Sequence, residues 1–333
     1  MGESQNRNLR LDTLKAVACI LVVLGHAFSY YDEHVQPLSL LWKTMSVLIY
    51  AVHVPLFFTI AGYLCHRQPL AAYARKKAFR VLVPFLTFTI LKVIYSHFFD
   101  PAFSHQTGFF FSLISALLTG ELYWFVYAIL LMYAAAPLFW ETRDRSPKRI
   151  VWIGCTVCVL LFAFCCWFTL TGRSVPSILQ LRNALLNFPF FLSGMMIGQN
   201  RDACLRLEKK VRLPLFVLAV ACIVTAVVVY RNTLQPLIYP LSTTLSYALM
   251  YLLWSAAKTI PENRALFPSI SRYSLQIMLL DSFFKVLLFS LWTRLLPGHL
   301  IMIPILTAMD LFFGCAVCTL CRKIPLIHTL LGL

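Results

Sequence analysis

Charge is what this chain has least of. Only 13% of its 333 residues are Asp, Glu, Lys or Arg, where a soluble domain carries about 25%. Acid is scarcer than base, with 13 Asp and Glu against 29 Lys and Arg. With 60% of the residues hydrophobic, that poverty excludes a soluble enzyme and marks an integral membrane protein. Repeats, low-complexity tracts and soluble linkers are missing too, so one helical bundle is expected to fill residues 1–333. The first apolar run has Asp12 near its start and no small-x-small cleavage site, so it is expected to stay as a span rather than be cut as a leader.

What is there is a series of apolar stretches. Ten are long enough to cross a bilayer: 11–31, 44–65, 81–99, 122–140, 150–170, 179–199, 211–230, 234–257, 273–292 and 300–321. A further stretch, 108–118, is too short and is expected to be re-entrant or interfacial. The expected fold is therefore an all-α, multi-pass membrane protein of about ten transmembrane helices, placed in the cell (inner or plasma) membrane. Basic residues orient it. With the N-terminus inside, 21 of the 29 Lys and Arg fall on the cytoplasmic side and five outside, while Lys15, Lys92 and Lys285 lie within spans. Both termini are then cytoplasmic. The same split accounts for the net charge of +16 as an insertion signal, not a nucleic-acid surface.

Most of the eleven cysteines lie in apolar runs, and Cys155/Cys158 and Cys315/Cys318/Cys321 have C-x-x-C spacing. No Cys/His knuckle surrounds them, so they read as small packing residues, with no metal and no disulfide expected.

The chemistry is concentrated in the few ionisable residues inside the spans. Lys15 and His26 are eleven residues apart on the first span, about 20° apart around a helix and roughly 16 Å along it. They form one stripe leading inward. In the second span, His53-Val-Pro-Leu-Phe-Phe-Thr-Ile-Ala-Gly-Tyr-Leu64 places a histidine two residues before a proline. The carbonyl freed by that proline is a candidate partner for His53. Tyr73-Ala-Arg-Lys-Lys-Ala-Phe-Arg80 follows, with Lys77 and Arg80 neighbours on one helical face. That cluster, Arg75 included, suits a membrane anchor, a lipid-headgroup site or a cradle for a phosphorylated cofactor. Glu121 beside Trp124 marks an outer loop entering a span, where it can meet a cation or a hydroxylated substrate. Asp281 and Lys285, four apart, suit a buried ion pair. Asp310 has no evident partner.

These residues resemble the acyltransferase-3 membrane proteins. Leu11-Asp-Thr-Leu-Lys-Ala-Val-Ala-Cys-Ile-Leu-Val-Val-Leu-Gly-His26 is similar to that family's basic residue, ten residues and a histidine, with Lys15 where Arg is usual. The His53 stretch is similar to its H-x-P-L-F-F-x-x-S-G motif, with Ala61 for Ser, and Lys77-Ala-Phe-Arg80 to its R-x-x-R. Trp124-Phe125, Phe188-Pro-Phe-Phe-Leu-Ser-Gly194 and Tyr273-Ser-Leu-Gln276 echo later landmarks, and the branch resembled is that of fucose 4-O-acetylase-like enzymes. The resemblance implies transfer of an acyl group, commonly acetyl, from cytoplasmic acyl-CoA to a hydroxyl of a cell-envelope or exported glycan, free or lipid-linked. Acyl-CoA is then a co-substrate, with no permanently bound cofactor.

On that basis His26 is the expected general base, since imidazole titrates near 6.5. Lys15 is the expected electrostatic partner of the thioester oxygen or of the donor. Lys15, Arg75, Lys77 and Arg80 are the expected donor-binding set, and His53, Glu121, Trp124, Asp281 and Lys285 the expected acceptor-side set. An acyl-histidine is the rival role for His26. A homo-oligomer is compatible with all of this. The alternative from another class is a transporter or flippase for a lipid-linked or small polar substrate, although the sequence has no inverted-repeat symmetry.

Overall fold

The computed structural model describes residues 9–99, 108–140, 147–172, 178–261, 267–295 and 299–333. Among them every regular element is helical. In chain order these are α1 (Leu9–His34), α2 (Leu40–Tyr63), α3 (Leu70–Lys77), α4 (Val83–Phe99), α5 (Phe109–Thr119), α6 (Trp124–Ala135), α7 (Pro147–Leu170), α8 (Leu181–Gln199), α9 (Arg201–Thr233), α10 (Tyr239–Ala257), α11 (Pro268–Leu295), α12 (Met302–Cys321) and α13 (Pro325–Leu331). Each of the ten apolar stretches coincides with a helix. Among the described residues, six helical runs are long and apolar enough to cross a membrane: Leu9–His34, Leu40–Tyr63, Leu70–Phe98, Glu121–Phe139, Arg201–Thr233 and Met302–Cys321. α11, 28 residues long, carries Asp281 and Lys285. Of the basic residues used for orientation, Arg7, Arg143, Arg145, Arg173 and Arg264 lie outside the described residues.

Several boundaries differ from expectation for local reasons. The helix expected from 234 starts at Tyr239, because Leu234 is left-handed (φ 53°) and Pro236 follows. α9 has 33 residues, about 50 Å, well beyond the roughly 30 Å of hydrocarbon. It bends at Val211 (φ −113°, ψ 18°), where the basic segment from Arg201 gives way to the apolar one. α11 bends in the same manner at Tyr273. α5, at 11 residues, is only about 16 Å long.

The chain divides into two compact units. The first holds the described residues of Met1–Ile60 and Asp202–Ala316, the second those of Ala61–Arg201 and Val317–Leu333. In the first, α1 packs chiefly on α11. Lipid tails are as apolar as leucine, so close fit and polar contacts, not exclusion of oil from water, hold membrane helices together. α1 meets that need by burying Ala16, Ala18, Cys19, Gly25 and Ala27. Beyond them Ala27, Phe28 and Tyr31 pack against Leu288 and Phe289 of α11 and Met302, Ile303 and Leu306 of α12.

In the second unit α7 and α6 both pack on α8, and α4 packs on α5. Gly62 meets α8 at the Phe191 carbonyl so closely that no Cβ fits. Gly120 caps α5 in the left-handed region (φ 64°) and turns the chain into a short 3₁₀ segment, Glu121–Tyr123, before α6. Between α3 and α4 lies a π-helical turn, Ala78–Leu82, closed by Val83 N–H donating to the Ala78 carbonyl. Pro84 explains the widened turn: it has no N–H for the Arg80 carbonyl four residues back. α13 packs on α4 and on this turn, with Gly332 against Pro84 and the Phe79 and Arg80 carbonyls.

Candidate active site

The first unit brings together three of the ionisable residues singled out from sequence. His26 Nδ1 lies 2.7 Å from Asp281 Oδ2, and Lys285 Nζ donates to the same oxygen at 2.6 Å. The Asp281 side chain is 2% accessible and that of Lys285 11%, while His26 keeps 40%. The carboxylate takes Nδ1–H, which fixes the tautomer and leaves Nε2 with its lone pair for a substrate proton. This is the geometry of a base oriented by a third group. Burying Asp281 is tolerable because two cationic or N–H donors meet it.

Asp310, read from the sequence as lacking a partner, is corrected by the structure. Its carboxyl comes within hydrogen-bonding reach of Asp281, and it lines with Lys285 and Thr307 a small cavity walled by Val23, Leu288 and Phe289.

His53 is buried, and its Nδ1 lies 2.7 Å from the Ile49 carbonyl, one turn back on its own helix. The partner is thus not the carbonyl freed by Pro55, which is that of Ala51. Tyr50 stacks edge-on against the His53 ring at 5.0 Å and reaches Ser29 Oγ at 2.7 Å. Lys15 lies half-buried on α1, eleven residues before His26. Asp12, one turn earlier, accepts from Ser271 Oγ at 3.1 Å.

In the second unit Arg75 and Arg80 are exposed and Lys77 is half-buried. Lys77 Nζ sits 3.4 Å from the centroid of Tyr133 and 5.5 Å from that of Tyr73. Tyr73 OH in turn donates to the Tyr133 carbonyl at 2.9 Å and lies 3.5 Å from Cys65 Sγ. Arg75 approaches the Phe79 ring at 6.0 Å. The one-face relation expected for Lys77 and Arg80 assumes α-helical spacing, and the π turn between them alters it. Lys92, also within a span, lies 5.3 Å from the Tyr95 ring. Glu121 is exposed, its backbone N–H held by Thr119 Oγ1 at 3.3 Å. Trp124 is half-buried, edge-on to Phe125.

The acyltransferase-3 family model, described as an acyltransferase domain, matches residues 8–322. The chain belongs to that family. Among curated relatives, nodulation protein NolL of Sinorhizobium fredii (strain NBRC 101917 / NGR234) is 29% identical over 231 residues. The match covers 66% of this chain and 57% of NolL, so this acyltransferase aligns with little more than half of that protein. No solved structure matches.

An acyltransferase needs a group to take the acceptor's proton, a site for charge on the carbonyl oxygen, and a hold on the donor. The sequence found His26 and Lys285 of the acyltransferase's buried cluster, but not their joint use of one Asp281 oxygen. It missed Asp310 as a neighbour and Tyr133 as the platform under Lys77. A buried acid in an apolar span was the signal available for Asp310; for Tyr133 the sequence offers none.

Proposed function

We propose that this membrane acyltransferase moves an acyl group, acetyl in the simplest case, from cytoplasmic acyl-CoA to a hydroxyl of a cell-envelope or exported glycan, free or lipid-linked. The observation that carries the proposal is the His26–Asp281 contact, which leaves one imidazole nitrogen for chemistry. His26 Nε2 takes the hydroxyl proton as the alcohol oxygen attacks the thioester carbonyl. Asp281 stabilises the imidazolium through Nδ1–H. The tetrahedral intermediate then collapses, the C–S bond breaks, and Nε2–H returns the proton to the CoA sulfur, so no net proton is consumed. General-base action of this kind supplies a factor of about 10²–10⁴.

Lys15 serves as the positive charge for the thioester oxygen or the donor. Arg75 and Arg80 hold donor phosphates, with Lys77 beside them against its tyrosines. His53, Glu121 and Trp124 are assigned to the acceptor side. Both termini and the basic loops face the cytoplasm of a cell membrane.

Purified protein incubated with labelled acetyl-CoA and an envelope glycan extract tests the reading. Label in a glycan ester, lost in His26→Ala, supports it; turnover that survives His26→Ala overturns the base assignment. Hydroxylamine-sensitive label on the protein without acceptor would replace direct transfer by an acyl-histidine route.

A further inference from the structure

Base catalysis by His26 raises a problem that the buried cluster also answers. An ionised carboxylate 2.7 Å from an imidazole favours the charged ring. A ring charged in the resting state has no lone pair with which to take the acceptor's proton. Around His26 stand Asp281 and Lys285 from α11, Asp310 from α12, and Tyr50 and His53 from α2. Lys15, Cys19 and Glu33 share its own helix, and α10, which also packs on α1, carries no Asp, Glu, Lys, Arg or His. Among the described residues only Asp281 hydrogen-bonds the ring.

Lys285 donates to the oxygen that His26 uses. Asp281 Oδ1 and Asp310 Oδ1 are both buried without a hydrogen-bond partner if both carboxyls are ionised. Two carboxyls in hydrogen-bonding reach satisfy each other when one carries a proton.

We propose that Lys285 and a neutral, hydrogen-bond-donating Asp310 are positioning residues, Lys285 balancing the charge of Asp281 and Asp310 occupying its second oxygen, so that His26 enters the reaction as a neutral base. The cluster then holds one negative and one positive charge with the imidazole unprotonated. Protonating His26 leaves a net positive charge on a cluster whose Asp281 and Lys285 are buried, which is unfavourable. The inference rests on the role given to His26 above, but its test does not need turnover.

Diethylpyrocarbonate reacts with unprotonated imidazole, and mass spectrometry of the His26 peptide follows the rate against pH in detergent-solubilised protein. Lys285→Met should move the midpoint of that profile up by a pH unit or more, slowing modification about tenfold on the acid side. Lys285→Arg should keep the wild-type midpoint. Asp281→Asn/Lys285→Met removes both charges and should return the midpoint to within about half a unit; it also serves if the single variant fails to fold. Asp310→Asn, still a donor, should leave the midpoint in place. An unmoved profile in Lys285→Met, a displaced one in the double variant, or a downward shift in Asp310→Asn overturns the proposal. Survival of acyl transfer in His26→Ala would overturn the base reading while these midpoints still reported the charge balance.

Discussion

The cationic side chains of α11 and those of α3 and the π turn after it solve opposite problems. Lys285 is turned inward onto a carboxylate that His26 also uses, so each charge in the cluster depends on the others. Arg75 and Arg80 stand in the open, and Lys77 leans on the faces of Tyr133 and Tyr73 with no carboxylate in contact among the described residues. The comparison teaches that charge is cooperative where it is buried and nearly additive where it is exposed. One region locks its charges in mutual contact, the other leaves Arg75 and Arg80 exposed.

The sharpest way to break the contrast is Asp281→Ala, which strands Lys285 and the His26 Nδ1–H together. We expect a loss of about 3–5 kcal/mol in stability, read by thermal unfolding in detergent, and loss of acyl transfer. His26→Ala should remove transfer by a factor of about 10²–10⁴ while the unfolding midpoint stays far closer to wild type; labelled acetyl-CoA turnover measures it. Arg75→Ala/Arg80→Ala should raise KM for acetyl-CoA about tenfold or more with kcat kept, the signature of lost uniform binding. Its stability should stay within about 0.5 kcal/mol, and a stability loss as large as that of Asp281→Ala would erase the distinction between the regions. The smallest effect belongs to Lys77→Met. It forfeits the cation–π contacts with Tyr133 and Tyr73, about 0.5–2 kcal/mol, visible as a modest drop in the unfolding midpoint.

Periodicity exposed the helices, because apolar length is a local property. It also exposed the Asp281–Lys285 pair, whose four-residue spacing is local too. His26 and Asp281 are separated by 255 positions, and nothing in either neighbourhood says which helix will lie against which. Asp310 was visible as a costly buried acid but not as a neighbour, for the same reason. The π turn at Ala78–Leu82 is a change in hydrogen-bond register. Pro84 hinted at trouble in that ladder without saying how the backbone would resolve it. His53 shows the reverse case: the proline suggested a special partner, and the helix supplied an ordinary carbonyl one turn back.

Because Nδ1 is committed to Asp281, His26 offers reactants a single nitrogen. That atom cannot tell an alcohol from a water molecule; either would surrender a proton to it. In the proposed reaction, choosing a sugar over hydrolysis of the thioester must therefore fall to whatever keeps water from the ring until the acceptor arrives. A variant that wets the surroundings of the ring, with the ring itself untouched, should turn a transferase into a thioesterase.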